Sequence, residues 1–345
     1  MDTAKNIVTE EELDQILSLP EEETIELMKR LDGDIMILGI GGKMGPTLGI
    51  TAVRAIRKAG VEKRVIGVSR FSDESLIPKL ESGGIECIKC DLLNPEDVAE
   101  LPDIPNIIFM AGRKFGIKGS DYLTWALNTI VPANVARRFS FSKFVVFSTG
   151  SIYDLWPVDS DGPDEEHIFT SIGEYANSCL GRERIFEHYS HASDLKALQY
   201  RLNYAIDCRY GVLYEIGRQV FAGETINLTM GYANVIWQGD ANNIAIRGLE
   251  LAESPAVTLN VTGPKVKIRE VAISFGKIMG KEPAFEGSEA PKAFLSNTAK
   301  LKRLLGAPKT SAEDMIEMIA TWIMQGGKTL NKPTHFQVSD GQFLD

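Results

Sequence analysis

The stretch "ILGIGGKMGPTLG" sets Gly39, Gly41, Gly42 and Gly45 close together, between an apolar run and an amphipathic one. Residues without a Cβ let the backbone turn sharply and approach a pyrophosphate. A helix starting there offers free N–H groups and the positive end of its dipole to phosphate oxygens. The chemistry implied is nucleotide binding, with Lys43 and Met44 inside the same loop. The next apolar run, "VIGVSRFSD", ends in Ser69 and Arg70. An NAD site usually has an acidic residue here to bind the ribose hydroxyls. A guanidinium can instead pair with a 2′-phosphate, which favours NADP over NAD. If Arg70 stacks on the adenine, either cofactor fits.

A second group of residues could move protons. "EYANSCLGRERIFEHYS", residues 174–190, puts Tyr175 at the start of a helical run with small residues behind it. A phenol ionises near pH 10, so proton transfer at neutral pH needs a positive charge close by. Positions i and i+4 share a helix face, and the residue at i+4 is Cys179. A thiol carries no fixed charge, and a thiolate would push the phenol the wrong way. Arg182, at i+7, faces nearly the same way but starts about 10 Å along the axis, too far for a simple replacement. Arg113 and Lys114, in "GRKFG", are other possible sources of charge. Cys179 itself, inside a helix and facing the core, reads as a small hydrophobe rather than a nucleophile.

The other reactive side chains point to less. Cys87 and Cys90, in "CIKC", fall in a short strand, where residues three apart face opposite ways with Cα atoms about 10 Å apart, too far for a disulfide. No second CxxC completes a zinc site. His188 and His191 lie near a helix end with no third ligand in view, so no metal is expected. The net charge of −10 argues against nucleic acid as a partner. No apolar run is long enough to span a bilayer, and the acidic start "MDTAKNIVTEEELDQ" is not a secretory signal. A cytoplasmic protein is expected.

These residues need elements to hold them. Residues 1–33 read as a helical prefix, with a capping box from Thr9 to Glu12 and a second start after Pro20. Then "DIMILGI", "RVIGVSR", "IECIKCDL", "NIIFMAG" and "KFVVFSTG" alternate as strands with helical runs, one of them the long "DYLTWALNTIVPANVARRFS" with a proline inside. Continuous apolar strands alternating with helices mean an α/β fold, a Rossmann-type doubly wound parallel sheet. The pattern loosens past about residue 205. The expected division is a dinucleotide-binding domain over 34–205, a smaller C-terminal substrate lobe over 206–326, and a tail over 327–345 lying on the surface.

The spacing Gly39-x-x-Gly42-x-x-Gly45, Asp91-Leu92, Ala111-Gly112, Asn128, "FSTGSIY" and the Tyr175 helix occur together and in order. As a set they resemble the extended short-chain dehydrogenase/reductase family, the NAD(P)-dependent epimerases and dehydratases, over roughly residues 34–310. The resemblance implies that Asp91 and Leu92 flank the adenine, that Ala111, Gly112 and Arg113 run along the cofactor, and that Asn128 braces the central helix. It implies Thr149 as the catalytic Ser/Thr and Tyr175 as the acid/base, with Cys179 standing where the family has a Lys. "YRLNYAI" resembles the strand that brings an Arg and an Asn, here Arg201 and Asn203, to the substrate. The segment Asn128-Thr-Ile-Val-Pro132 also departs from the family pattern. The implied activity is on a sugar or nucleotide-sugar through a transient ketone, in a homodimer formed by helices 121–140 and 174–190. The missing Lys leaves a second reading open: a non-catalytic NADP-binding sensor or regulatory module.

Overall fold

The computed structural model describes residues 7–114, 119–167 and 173–337. Seven strands make one parallel sheet: β1 (Ile35–Leu38), β2 (Val65–Ser69), β3 (Glu86–Lys89), β4 (Asn106–Phe109), β5 (Lys143–Thr149), β6 (Lys196–Leu202) and β7 (Val257–Val261). Their spatial order is β7-β6-β5-β4-β1-β2-β3. Each central strand is apolar on both faces because each face is covered. From β1, Ile35 and Ile37 join one core cluster with Leu48 and Ala52 of helix Gly45–Ala59. Met36 and Leu38 join another with Val135 and Phe186. Side chains alternate along a strand, so a run of four apolar residues serves two layers of helix. Cys87 and Cys90 follow the same rule: Cys87 packs against the first cluster and Cys90 lies in the second, both as free thiols.

The strand order reverses between β1 and β4, and this opens a crevice at their carboxyl ends. Gly39 closes β1 with φ +94°, where a Cβ would lie 2.6 Å from the Ala111 nitrogen beyond β4. Only glycine lets the two strand ends come this close.

The long helix expected over 121–140 is built in three parts: α-helix Asp121–Trp125, a π-helical turn Ala126–Ile130, and α-helix Val131–Arg138. Pro132 is the physical reason. It has no N–H to give the carbonyl four residues back, and its ring crowds that carbonyl, so the helix widens there. The widened turn carries Asn128 inward, fully buried.

The N-terminal prefix packs on the body of its own chain. Helix Glu10–Leu17 has the capping box at Thr9 and Glu12, and helix Glu22–Arg30 follows it. The two are pinned by Asn243, whose Oδ1 accepts from the Glu21 N–H (2.9 Å) and the Thr24 hydroxyl (2.8 Å), while its Nδ2 donates to Leu19 O (2.9 Å).

The C-terminal half packs in two ways that the sequence pattern does not show. Segment 206–326 does not stand apart, because it supplies β7 and helix Gln238–Arg247, which pack into the sheet layer. The remaining helices, Val212–Ala222, Ile268–Met279 and Ala312–Met324, surround a separate core. The tail does more than lie on the surface. Phe336 is buried in that second core, and Thr334 donates from both its N–H (2.5 Å) and its hydroxyl (2.8 Å) to the Glu215 carboxylate. Lack of periodicity reflected an irregular backbone, not an unpacked one. Residues 338–345 of the tail lie outside the described residues. Among the described residues no helix is long and apolar enough to cross a membrane.

Replacing Asn243 by Ala strands buried donors and acceptors of the prefix. We expect a loss of about 2–4 kcal/mol in stability, seen as a lower urea midpoint, with cofactor affinity unchanged.

Candidate active site

Two adjoining cavities, of about 260 and 380 Å³, lie along the carboxyl ends of the strands and share Met110 and Gly112 as a common wall. The larger is lined by the glycine loop at Gly39, Gly41 and Gly42 and by Ser69 and Arg70 at the end of β2. Asp91, Leu92, Ala111 and Gly112 complete it from the ends of β3 and β4. These residues, named from sequence, are thus brought to one crevice, and its glycine-walled floor fits a dinucleotide. Asp73 lines it too, three residues past Arg70. Its carboxyl is held below the usual range by the hydroxyl and N–H of Ser75. This carboxylate was missed in sequence because it follows the strand end by several residues.

The smaller cavity holds the residues that could move protons. Thr149 ends β5, and Tyr175 opens helix Glu174–Ser193 after Gly173, whose φ is +86°. Both line the cavity, as do Lys43, Met44, Arg113 and Asn203. The Tyr175 hydroxyl is hydrogen-bonded to Thr149 and Cys179, and the Thr149 hydroxyl donates to Ser151 Oγ (3.1 Å). Burial, then Cys179, pushes the Tyr175 hydroxyl well above the usual phenol range. Arg182 and Thr149 pull it back. Burial also raises the Cys179 thiol, so it stays neutral beside the phenol.

Arg182 lines the same cavity as Tyr175 despite their seven-residue separation. Helical side chains lean toward the N-terminus of their helix, so a long arginine reaches back along the face. Its guanidinium lines the cavity, donating from Nη1 to Phe147 O (2.6 Å) and from Nη2 to Asn128 Oδ1 (2.6 Å). It lies against Gly112, where an added Cβ would meet Nη2 at 2.3 Å. Asn128 lines neither cavity. It braces the site from behind, accepting from the Arg113 N–H (2.9 Å) and donating to Arg113 O (3.0 Å) and Ser178 Oγ (2.9 Å). Gly45 also lies outside both linings, at the start of its helix. The rhythm 175, 179, 182 on one helix face was the available signal for Arg182. Nothing in the sequence signals Thr334, which also lines the cavity.

Arg201, expected beside the substrate, lines neither cavity. It is 4% exposed and bridges Glu183 through Nε (3.0 Å) and Nη2 (2.8 Å), while Nη1 donates to the Tyr153 hydroxyl (2.6 Å). Its side chain leaves β6 on the side where Glu183 is buried, and the ion pair holds it there. Asn203, two residues on, does face the cavity, and its Nδ2 has no hydrogen-bond partner.

Arg201→Met leaves the Glu183 carboxylate buried and unpaired. We expect about 3–5 kcal/mol of lost stability by denaturant unfolding, with ligand affinity little changed per folded molecule.

No curated protein matches the sequence. Solved structures that resemble the chain include the UDP-glucuronic acid 4-epimerase of Bacillus cereus in complex with NAD, 19% identical, with TM-score 0.69, covering 85% of this chain and 96% of that one. The UDP-glucose 4-epimerase of Thermotoga maritima with UDP-glucose is 16% identical, with TM-score 0.69 over 85% of this chain and 99% of that one. The UDP-N-acetylglucosamine 4-epimerase of Bacillus cereus is 20% identical, with TM-score 0.66 over 86% of this chain and 100% of that one. At these identities the likeness is one of fold, and it confirms the doubly wound sheet. The sequence model of one family matches residues 35–205, the stretch carrying the glycine loop, Thr149 and Tyr175, and this stretch belongs to the NAD dependent epimerase/dehydratase family.

Proposed function

We propose that the protein is an NAD(P)-dependent epimerase/dehydratase-like oxidoreductase of the cytoplasm, acting on a sugar or nucleotide-sugar-like substrate through a transient ketone. One observation carries this reading: Thr149, Tyr175 and a buried guanidinium, Arg182, converge on a cavity that adjoins the glycine-loop crevice. The cofactor would lie with its phosphates against the backbone of Gly41 to Gly45, its adenine ribose by Ser69 and Arg70, its adenine between Asp91 and Leu92, and its inner half along Ala111 to Arg113. When bound, it supplies hydride exchange. Tyr175 takes the proton from the substrate hydroxyl and returns it, and Thr149 donates to the same oxygen. Arg182 supplies the fixed positive charge that Cys179 cannot, so the developing phenolate is not left in an apolar pocket. Asn203 donates to the substrate from its open Nδ2.

An unshifted phenol is ionised to only about one part in a thousand at pH 7, and Tyr175 is shifted further against ionisation. The active form is the deprotonated one, so kcat/KM rises with pH through the neutral range, by about tenfold per unit. Cys179→Lys adds an ammonium on the same face and moves this rise to lower pH. Turnover at pH 7, followed by nicotinamide absorbance with a panel of sugars and sugar nucleotides, goes up about tenfold or more. Tyr175→Phe abolishes it, and a variant that keeps full activity refutes the assignment.

The raised Tyr175, hydrogen-bonded to a neutral thiol, favours one rival, a cofactor-binding sensor without turnover. That rival predicts cofactor binding, no activity with any substrate, and no gain from Cys179→Lys.

NADP is the preferred cofactor, with Arg70 pairing its 2′-phosphate against the opposing charge of Asp73. Titration with both cofactors tests this: NADP binds more tightly, Arg70→Ala removes the difference, and tighter NAD binding reverses the preference. A homodimer through helices 121–138 and 174–193 accounts for the exposed Tyr122, Trp125 and Ile130, and Ile130→Glu shifts it to monomer in sedimentation.

A further inference from the structure

Helix Gln238–Arg247 is buried nearly all round, yet it carries amides inward. Gln238 and Asn242 are one turn apart on one face, and both are 0% exposed. Neither lines the two cavities. Both amides point instead at a single oxygen on another helix. Gln238 Nε2 and Asn242 Nδ2 each donate to Thr47 Oγ1 at 3.0 Å. Thr47 lies in the first turn of helix Gly45–Ala59, which the glycine loop starts. Its own hydroxyl donates to the carbonyl of Met44 (3.0 Å), the residue just before that helix.

A hydroxyl has one hydrogen and two lone pairs. The two amides take both lone pairs of Thr47, so its hydrogen is committed to Met44 O. The same carbonyl accepts from the Leu48 N–H (3.0 Å). Two donors thus fix the peptide plane that joins Met44 to Gly45. That plane also carries the Gly45 N–H, one of the groups that a helix start leaves without a partner and offers to a phosphate. Gly45 is held from its other side too, because a Cβ there would run into Ile40 O.

Stability alone does not explain these amides. Their other ends, Gln238 Oε1 and Asn242 Oδ1, are buried without a hydrogen-bond partner. An unanswered buried acceptor destabilises a fold, and an apolar side chain of the same shape does not. Asn242 Nδ2 also reaches Leu17 O (3.3 Å) in the prefix, but the Gln238 side chain has only Thr47. What Gln238 does for the protein therefore passes through the Thr47 hydroxyl to the loop.

We infer that Gln238 and Asn242 are positioning residues for the cofactor: through Thr47 they orient the Met44–Gly45 peptide, so that the C-terminal half sets how tightly the glycine loop holds the pyrophosphate. The inference rests on the proposed function in taking this loop as the cofactor's phosphate site. Both residues lie beyond the stretch 35–205 that the family model matches.

The test is calorimetric titration of NADP and NAD into the native protein, Gln238→Met, Thr47→Val and Thr47→Ser, with urea unfolding of each. Gln238→Met removes the donor and the unanswered acceptor together, so its unfolding midpoint stays level or rises. Its affinity for the better-bound cofactor nevertheless falls about tenfold, as for the loss of one oriented hydrogen bond. Thr47→Val loses at least as much, and Thr47→Ser, which keeps the hydroxyl, recovers most of it. A role in folding alone predicts the reverse, a shifted midpoint with native affinity. Amide hydrogen exchange of the free protein gives a second measurement that needs no cofactor. Peptides spanning Gly41 to Leu48 exchange about tenfold faster in Gln238→Met and Thr47→Val, while those of β5 and β6 do not change. Native affinity in both variants overturns the inference, as does native exchange at the loop in both, or Thr47→Ser binding no better than Thr47→Val. A native protein that binds neither nucleotide refutes the proposed function, and the exchange comparison then decides the inference by itself.

Discussion

The site depends on one buried cation. The Arg182 guanidinium lies where the ends of β4 and β5, the widened turn around Asn128 and the Tyr175 helix all meet. A guanidinium out of water must have its donors answered or it destabilises the fold. Phe147 O and Asn128 Oδ1 answer two of them, and this fixes the distance between two helices and two strands. The π-helical turn brings Asn128 inward far enough to accept, and Gly112 leaves the gap the guanidinium fills. Because the charge is held by backbone and amide groups rather than by a carboxylate, it is not neutralised. It remains available to the phenol one helical turn and more away.

Much of this fold could be read from sequence because its signals are local. The glycine loop follows a strand and starts a helix, and each buried strand shows as an apolar run regardless of its partners. The capping box at Thr9 and Glu12 needs only four residues to be recognised. Thr149 and Tyr175 could be singled out because each sits at the end of a regular element. What was not legible depends on side-chain direction or on contacts between distant segments. Rise per residue separates Arg182 from Tyr175, and only the backward lean of helical side chains closes that gap. Arg201 and Asn203 lie two apart on one strand. Arg201 was drawn into a buried pair with Glu183, a partner on another element that no strand pattern reveals.

The docking place of β7 was hidden for a related reason. A sheet accepts a strand from anywhere in the chain if its edge is open and the residues are apolar. β7 docks beside β6 after a long excursion through the C-terminal lobe. The sheet layer and the C-terminal helices therefore share one chain path, and the buried Arg201, Glu183 and Tyr153 cluster lies beside β7.

Thr334 gives this arrangement an order in time. Every residue lining the glycine-loop crevice lies at or before Val131, whereas the wall of the Tyr175 cavity is completed by a residue far along the chain. During synthesis the crevice can take shape while much of the lobe is still inside the ribosome, and the cavity cannot. A nascent chain would pass through a stage in which the crevice is formed and the cavity beside Tyr175 still lacks part of its wall. Completion of that wall by the tail is then one of the last events of folding.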